Sequence, residues 1–194
     1  MLELAILGLL KERAMHGYQL KKRLADTLGS FWQVSYGSLY PALKRLLADE
    51  SVEMVFPKED VGRRKNVYRI TQKGEEMFAE LLERVGVPEA AEDNGFSVRL
   101  AFFRYLKPET RIRLLERRRS FPEGRGSTLK DSLRVYRERI DGYTLSLMKH
   151  ELDATESDIR WLDDLIKSEQ RLMERPVRPR RARIAQPQPQ RERA

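Results

Sequence analysis

Residues 35–71 read SYGSLYPALKRLLADESVEMVFPKEDVGRRKNVYRIT, and a change of periodicity inside this stretch decides the fold. Ser35 is a side-chain cap for a helix in which Leu39, Leu43, Leu46 and Leu47 form one apolar stripe, ending at about Asp49 or Glu50. Beyond it the period drops from helical to two. Val52, Met54 and Phe56 alternate with Glu53 and Val55, and Val67, Tyr68, Arg69 and Ile70 make a second β-type run. The tip between them holds Gly62 and Asn66 for turning and a consecutive Arg63, Arg64, Lys65 cluster.

On the N-terminal side, Leu2, Ala5, Ile6, Leu9 and Leu10 fall on one helical face, so a first helix begins almost at Met1. After a break at Ala14 to Gly17, Leu20, Leu24 and Leu28 repeat every fourth residue and Gly29 supplies a helix stop. On the C-terminal side Thr71 caps a fourth helix. Glu75 and Glu76 sit near its positive end, Phe78, Leu81, Leu82 and Val85 share a face, and Gly86 and Pro88 close the unit. Three helices, a two-stranded hairpin and a trailing helix describe a winged helix-turn-helix over residues 1–88, whose third helix enters the major groove of DNA.

With its leucines packed inward, the third helix turns Gly37, Ser38, Pro41, Lys44, Arg45 and Ala48 outward. Gly37 and Ser38 are small enough for close approach to base edges, and Lys44 and Arg45 suit phosphates or guanine. Tyr40, on the flank, and Tyr18, in the second helix, can bury a ring while the hydroxyl reaches a phosphate. Arg63, Arg64 and Lys65 form a cationic wing for the backbone or a narrow minor groove.

Residues 89–174 read as a helical dimerisation domain, making the chain mainly α. Phe96, Leu100 and Phe103 suggest one helix; Pro108 starts another carrying Ile112, Leu114 and Leu115, and SFPEGRGS at 120–127 reads as a loop. From Leu129 the positions Leu133, Tyr136, Ile140, Tyr143 and Leu147 step by four and three, and Ile159, Leu162 and Ile166 resume similar spacing. This is the seam of a homodimer, with an intrachain bundle as the alternative. Gly142 marks the break if the segment is two helices rather than one.

The chain has 194 residues, 38 Lys plus Arg, 30 Asp plus Glu, a formal charge of +8 and no cysteine. Disulfides, thiolate nucleophiles and cysteine-ligated metals are excluded, and with only His16 and His150 no metal centre or cofactor is expected. Residues 175–194 hold seven arginines and one glutamate, so a Pro-, Gln- and Arg-rich tail supplies +6 of the +8. Such a composition cannot repay the entropy of ordering, so a disordered basic tail is expected. Apolar runs too short to span a bilayer point away from a membrane and to a cytoplasmic protein.

The residues also carry a family likeness. His16-Gly17-Tyr18-Gln19-Leu20, GSLYPALKRL at 37–46, GRRKNVYRIT at 62–71 and Lys73-Gly74 resemble the PadR family of transcriptional regulators, and ERRR at 116–119 with ESDIRWLDDL at 156–165 resembles its helical dimerisation domain. The resemblance implies a cytoplasmic dimeric regulator, usually a repressor, that leaves its double-stranded DNA operator when a small effector, often aromatic, binds. Phe31, Trp32, Phe102, Phe103, Tyr105 and Trp161 are the aromatic residues available for an effector pocket. Two departures from the family pattern are visible. Glu50-Ser51 stands where the family often places a glycine, making Ser51 an uncomfortable helix stop, and Gly74 stands where a capping box after Thr71 needs Glu.

A sequence-specific, dimeric DNA-binding repressor is the leading reading; a winged-helix protein-interaction module without specific DNA binding is the alternative. Catalysis is not expected, because no nucleophile with its base, no paired carboxylates and no phosphate loop stand out. Replacing Arg63, Arg64 and Lys65 together by alanine is expected to weaken binding to every duplex and to flatten its salt dependence, as read by fluorescence anisotropy. Unchanged affinity removes the wing from the mechanism.

Overall fold

The computed structural model describes residues 1–29, 34–55, 66–84 and 93–174. Helix α1 (Leu2–Glu12) lies at the centre of the N-terminal part. The expected apolar face is there, but Leu4, Leu7 and Gly8 are buried as well, so every residue from Leu4 to Leu10 is inside. The cause is tertiary: α1 packs against α2 (Gly17–Leu28), α3 (Tyr36–Ala48), α4 (Gln72–Glu83), a sheet strand and α5 (Asp93–Leu100). Leu20, Leu24 and Leu28 of α2 and Leu39, Leu43 and Leu46 of α3 complete this core. Gly29 ends α2 at φ 64°, as its place after the last leucine predicts.

The sheet has three strands rather than the expected two. Its order is β1-β3-β2, all antiparallel, with β1 at Met15–His16, β2 at Val52–Val55 and β3 at Val67–Ile70. Two residues between helices are too few to show a period-two pattern, so only their pairing with Tyr68 and Val67 reveals β1.

The end of α3 corrects a second expectation. The strained position is Glu50, at φ 59°, and not Ser51. Ser51 N donates to Leu46 O at 3.0 Å and Glu50 N to Leu47 O at 3.0 Å, a Schellman stop with a glutamate where glycine is favoured. Ser51 is fully buried, and a Cβ on Gly74 would stand 2.0 Å from the Ser51 carbonyl oxygen. Thr71 still caps α4, accepting from Gly74 N at 3.1 Å. Gly74 therefore replaces the capping-box glutamate because the backbone of the α3 stop passes against it.

C-terminal to α5, a 3-10 turn at Phe103–Tyr105 leads into α6 (Pro108–Tyr136) and α7 (Gly142–Glu174). The loop expected at 120–127 is helix: α6 runs unbroken through Pro122, Gly124 and Gly126. Pro122 removes one backbone hydrogen bond, but Pro122 and Gly126 are buried, and Thr155 Cγ2 of α7 lies 3.5 Å from where a Gly126 Cβ would stand, an ordinary packing distance. Arg111–Glu169 at 3.1 Å, Arg119–Asp163 at 2.6 Å and Lys130–Glu156 at 2.8 Å join the two antiparallel helices. The break falls just before Gly142, where Asp141 Oδ1 caps α7 by accepting from Tyr143 N at 2.8 Å and Thr144 N at 3.0 Å.

The proposed seam divides accordingly. Leu162 and Ile166, expected between subunits, are buried within this chain in the cluster that holds Phe96, Leu114 and Leu115, as in the intrachain alternative. Leu129, Leu133, Ile140 and Ile159 are half-buried, while Tyr136, Tyr143 and Leu147 are exposed.

Two substitutions test the α3 stop by chemical denaturation. Gly74→Ala is expected to destabilise the fold by about 1–3 kcal/mol through overpacking. Glu50→Gly is expected to stabilise it by about 1 kcal/mol, since glycine adopts the left-handed conformation without strain.

Candidate nucleic-acid interface

The helix-turn-helix is built from two caps. His16 Nδ1 accepts from Gln19 N at 3.2 Å while Gln19 Oε1 accepts from His16 N at 3.2 Å, a reciprocal capping box that starts α2 with a histidine in the serine role. Ser35 Oγ accepts from Ser38 N at 3.2 Å and starts α3. Ser38 Oγ also donates to Ser35 O at 3.0 Å, which spends its proton and leaves it an acceptor toward solvent.

The two helices meet at Gly17. A Cβ there would stand 3.0 Å from Tyr40 Oη, so glycine is what lets the Tyr40 ring lie over the start of α2. Tyr40 also stacks on Tyr36, with centroids 6.0 Å apart and 21° between planes, and Lys21 Nζ lies 3.9 Å from the Tyr36 centroid. Tyr18 is 65% exposed on the same end of α2. Tyr36 and Lys21 were not singled out from the sequence. The signal was present for Tyr36, four residues before Tyr40 on the same helix face.

Gly37, Ser38, Pro41 and Lys44 are exposed on α3. Pro41 has no N–H for the Gly37 carbonyl, so that acceptor is left open on the exposed face. Lys44 makes no ion pair with any described residue. Arg45 is exposed as expected, but it is also paired. Its Nε donates to Glu3 Oε1 at 3.2 Å and its Nη2 to the same oxygen, drawing the guanidinium to the flank beside α1. The charged side chain belongs to a helix 42 residues away in sequence, which no local pattern announces.

Asp49 and Lys73 hold the far end of α3. Lys73 Nζ donates to Asp49 O at 2.6 Å and Oδ1 at 3.1 Å, and hydrogen bonds from Ser51 and Lys73 hold the Asp49 carboxyl below its usual pKa. Behind the face, burial first and then the nearby Tyr40 raise the Tyr68 hydroxyl pKa, against a lowering hydrogen bond with Asn66. Arg63, Arg64 and Lys65 lie outside the described residues, as do Phe31, Trp32 and the tail at 175–194. Strands β2 and β3, on either side of the wing segment, pair from Val52↔Ile70 to Val55↔Val67.

The other aromatics form packing clusters. Phe78 meets Phe102 and Tyr105 edge-on at 5.9 and 5.4 Å, and Phe96 meets Phe103 and the half-exposed Trp161 at 6.2 and 6.0 Å. A cleft of about 340 Å³ opens beside Phe78, Tyr105, Leu82 and Leu106, with Lys11 and Glu75 on its rim. Among the described residues no three His, Asp or Glu side chains are grouped to hold a metal, and no helix is long and apolar enough to cross a membrane.

Three helices on a small antiparallel sheet, with a capped and solvent-facing third helix, define a winged helix-turn-helix. Residues 6–80 match the family model described as "Transcriptional regulator PadR-like family", so this unit is PadR-like, as its motifs implied. The negative transcriptional regulator PadR of Bacillus subtilis (strain 168) is 29% identical over 93 residues, 47% of this chain and 51% of that protein; the chain thus spans about half the length of this curated relative. Among solved structures, Bacillus subtilis PadR in complex with operator DNA is 21% identical, covering 87% of this chain and 98% of that one with a TM-score of 0.42. The same protein in complex with p-coumaric acid gives 23%, 87%, 98% and 0.38 in the same order.

Proposed function

We propose that this chain is a sequence-specific DNA-binding transcriptional regulator, acting as a homodimeric repressor in the cytoplasm. The observation that carries the reading is the exposed face of α3. Gly37, Ser38, Pro41 and Lys44 present small, polar and cationic groups with no acidic side chain among them, and Tyr18, Tyr36 and Tyr40 flank them. Small residues allow close approach to the major groove; Ser38 accepts from base amino groups; tyrosine hydroxyls and Lys44 hold phosphates. A PadR-like match over this unit and a negative regulator among the relatives support the repressor.

The division of labour follows the expected boundaries: residues 1–88 read DNA, 89–174 pair subunits, and 175–194 add a basic arm. Tyr136, Tyr143 and Leu147 support pairing, being exposed apolar side chains that a second subunit would cover, with Leu129, Leu133, Ile140 and Ile159 beside them. Release by a small aromatic effector fits the cleft beside Phe78 and Tyr105, between the DNA-reading and pairing parts.

Fluorescence anisotropy of the full chain on the duplex upstream of its own gene, against an unrelated duplex across a salt series, tests this. Strong preference for the upstream duplex with one dimer per site is expected. Ser38→Ala is expected to change the sequence preference, whereas Lys44→Ala lowers affinity for all duplexes and reduces the salt slope by about 1. Equal, weak and steeply salt-dependent binding to both duplexes overturns the reading in favour of partner docking.

A further inference from the structure

The Arg45–Glu3 pair has a consequence for how tightly the reading helix holds DNA of any sequence. On α3, Ser38 and Arg45 are seven residues apart and fall one above the other on the same shoulder of the exposed face. A free guanidinium there is within reach of the sugar–phosphate backbone beside the groove. It is not free. Nε and Nη2 both donate to Oε1 of Glu3, in the first turn of α1. Burial of Glu3 works to raise its carboxyl pKa, but the hydrogen bond from Arg45 and the neighbouring positive charges outweigh it, so Glu3 is ionised and the pair is neutral at pH 7.

The partners differ in what they have to lose. The Arg45 side chain is 63% exposed and that of Glu3 25%. Glu3 is thus set into the flank of the core helix, while Arg45 reaches back to it from the surface. Lys44, the adjacent residue, makes no such bond and keeps its charge directed outward.

We propose that Glu3 is a positioning residue that withholds Arg45 from phosphate. By neutralising one cation on the shoulder of α3, it lowers affinity for DNA in general and leaves discrimination to Ser38. The effect is on overall affinity and its salt dependence, because a phosphate contact strengthens binding to all sequences alike and leaves the ratio between them unchanged. This inference rests on the DNA-binding reading above.

Glu3→Gln removes the anion and keeps the shape. In anisotropy titrations of the full chain from 50 to 200 mM salt, the variant is expected to bind an unrelated duplex more tightly than the parent. Its log–log salt slope should steepen by about 0.9 for each phosphate gained, so that its advantage shrinks about 3.5-fold per contact over that range. The upstream duplex gains no more than the unrelated one, and the specificity ratio does not rise. Glu3→Asp, which keeps the charge, should restore the parental slope. In the Glu3→Gln background, Arg45→Gln should abolish the gain. Circular dichroism checks that each variant is folded.

Weaker binding by Glu3→Gln with an unchanged slope makes the pair a mere fold clamp and overturns the proposal. So does a gain in the Glu3→Gln variant that survives the added Arg45→Gln substitution, since its source is then not the freed guanidinium. Absence of salt-dependent binding by the parent protein instead overturns the DNA-binding reading, and this inference with it.

Discussion

Everything in the N-terminal part is arranged around a helix whose middle is buried on every side. Residues Leu4 to Leu10 of α1 are buried on all faces, and each fully buried leucine or isoleucine there contributes about 1.5–3 kcal/mol of transfer free energy. One glycine decides what can reach this helix. A Cβ at Gly8 would stand 2.5 Å from Phe102 Cε1, so the hydrogen at this position is what lets the Phe102 ring seat on α1. Phe102 in turn meets Phe78 of α4 edge-on at 5.9 Å. The N-terminal part and the helical part thus share one aromatic joint, continued at the surface by Glu12, which pairs with Arg23 of α2 and with Arg104 in the 3-10 turn.

A second constraint fixes the direction of α3. The Ser51 peptide receives the end of α3 through its N–H, gives its carbonyl to Thr71 N at 3.2 Å, and lies against Gly74. Lys73 closes the same corner on Asp49. Helix α3 is therefore held at its C-terminal end by α4 and at its start by the contact of Tyr40 with Gly17. A glutamate in a left-handed conformation at Glu50 is the strain this corner tolerates.

In the C-terminal part, long-range pairing overrides local breakers. Proline and two glycines within five residues argue for a loop when read alone, and about 3 kcal/mol is a typical cost for proline inside a helix. Burial of Pro122 and Gly126, with interhelical ion pairs on either side, outweighs it. The same packing takes Leu162 and Ile166 into the chain's own core, leaving Tyr136, Tyr143 and Leu147 on its surface.

Periodicity made the order of most helices and strands legible, because apolar spacing, caps and turn residues act within a few positions of one another. The stripe of α3, the stop at Gly29 and the caps at Ser35 and Thr71 were readable in this way, while one helix or two across Gly142 was left open. So was the exposed face with Gly37, Ser38, Pro41 and Lys44. The short strand Met15–His16, the helical course of 120–127, the burial of α1 on every side, and the capture of Arg45 by Glu3 were not. Each depends on groups brought together from distant segments, as Met15 meets Tyr68, Gly8 meets Phe102 and Ser51 meets Gly74. The sequence by itself determined the order of most elements and the apolar stripes of α2 and α3. Only the tertiary structure decided which charges stay free at the surface and which glycines are indispensable, because side-chain partners and steric contacts are set by proximity in space.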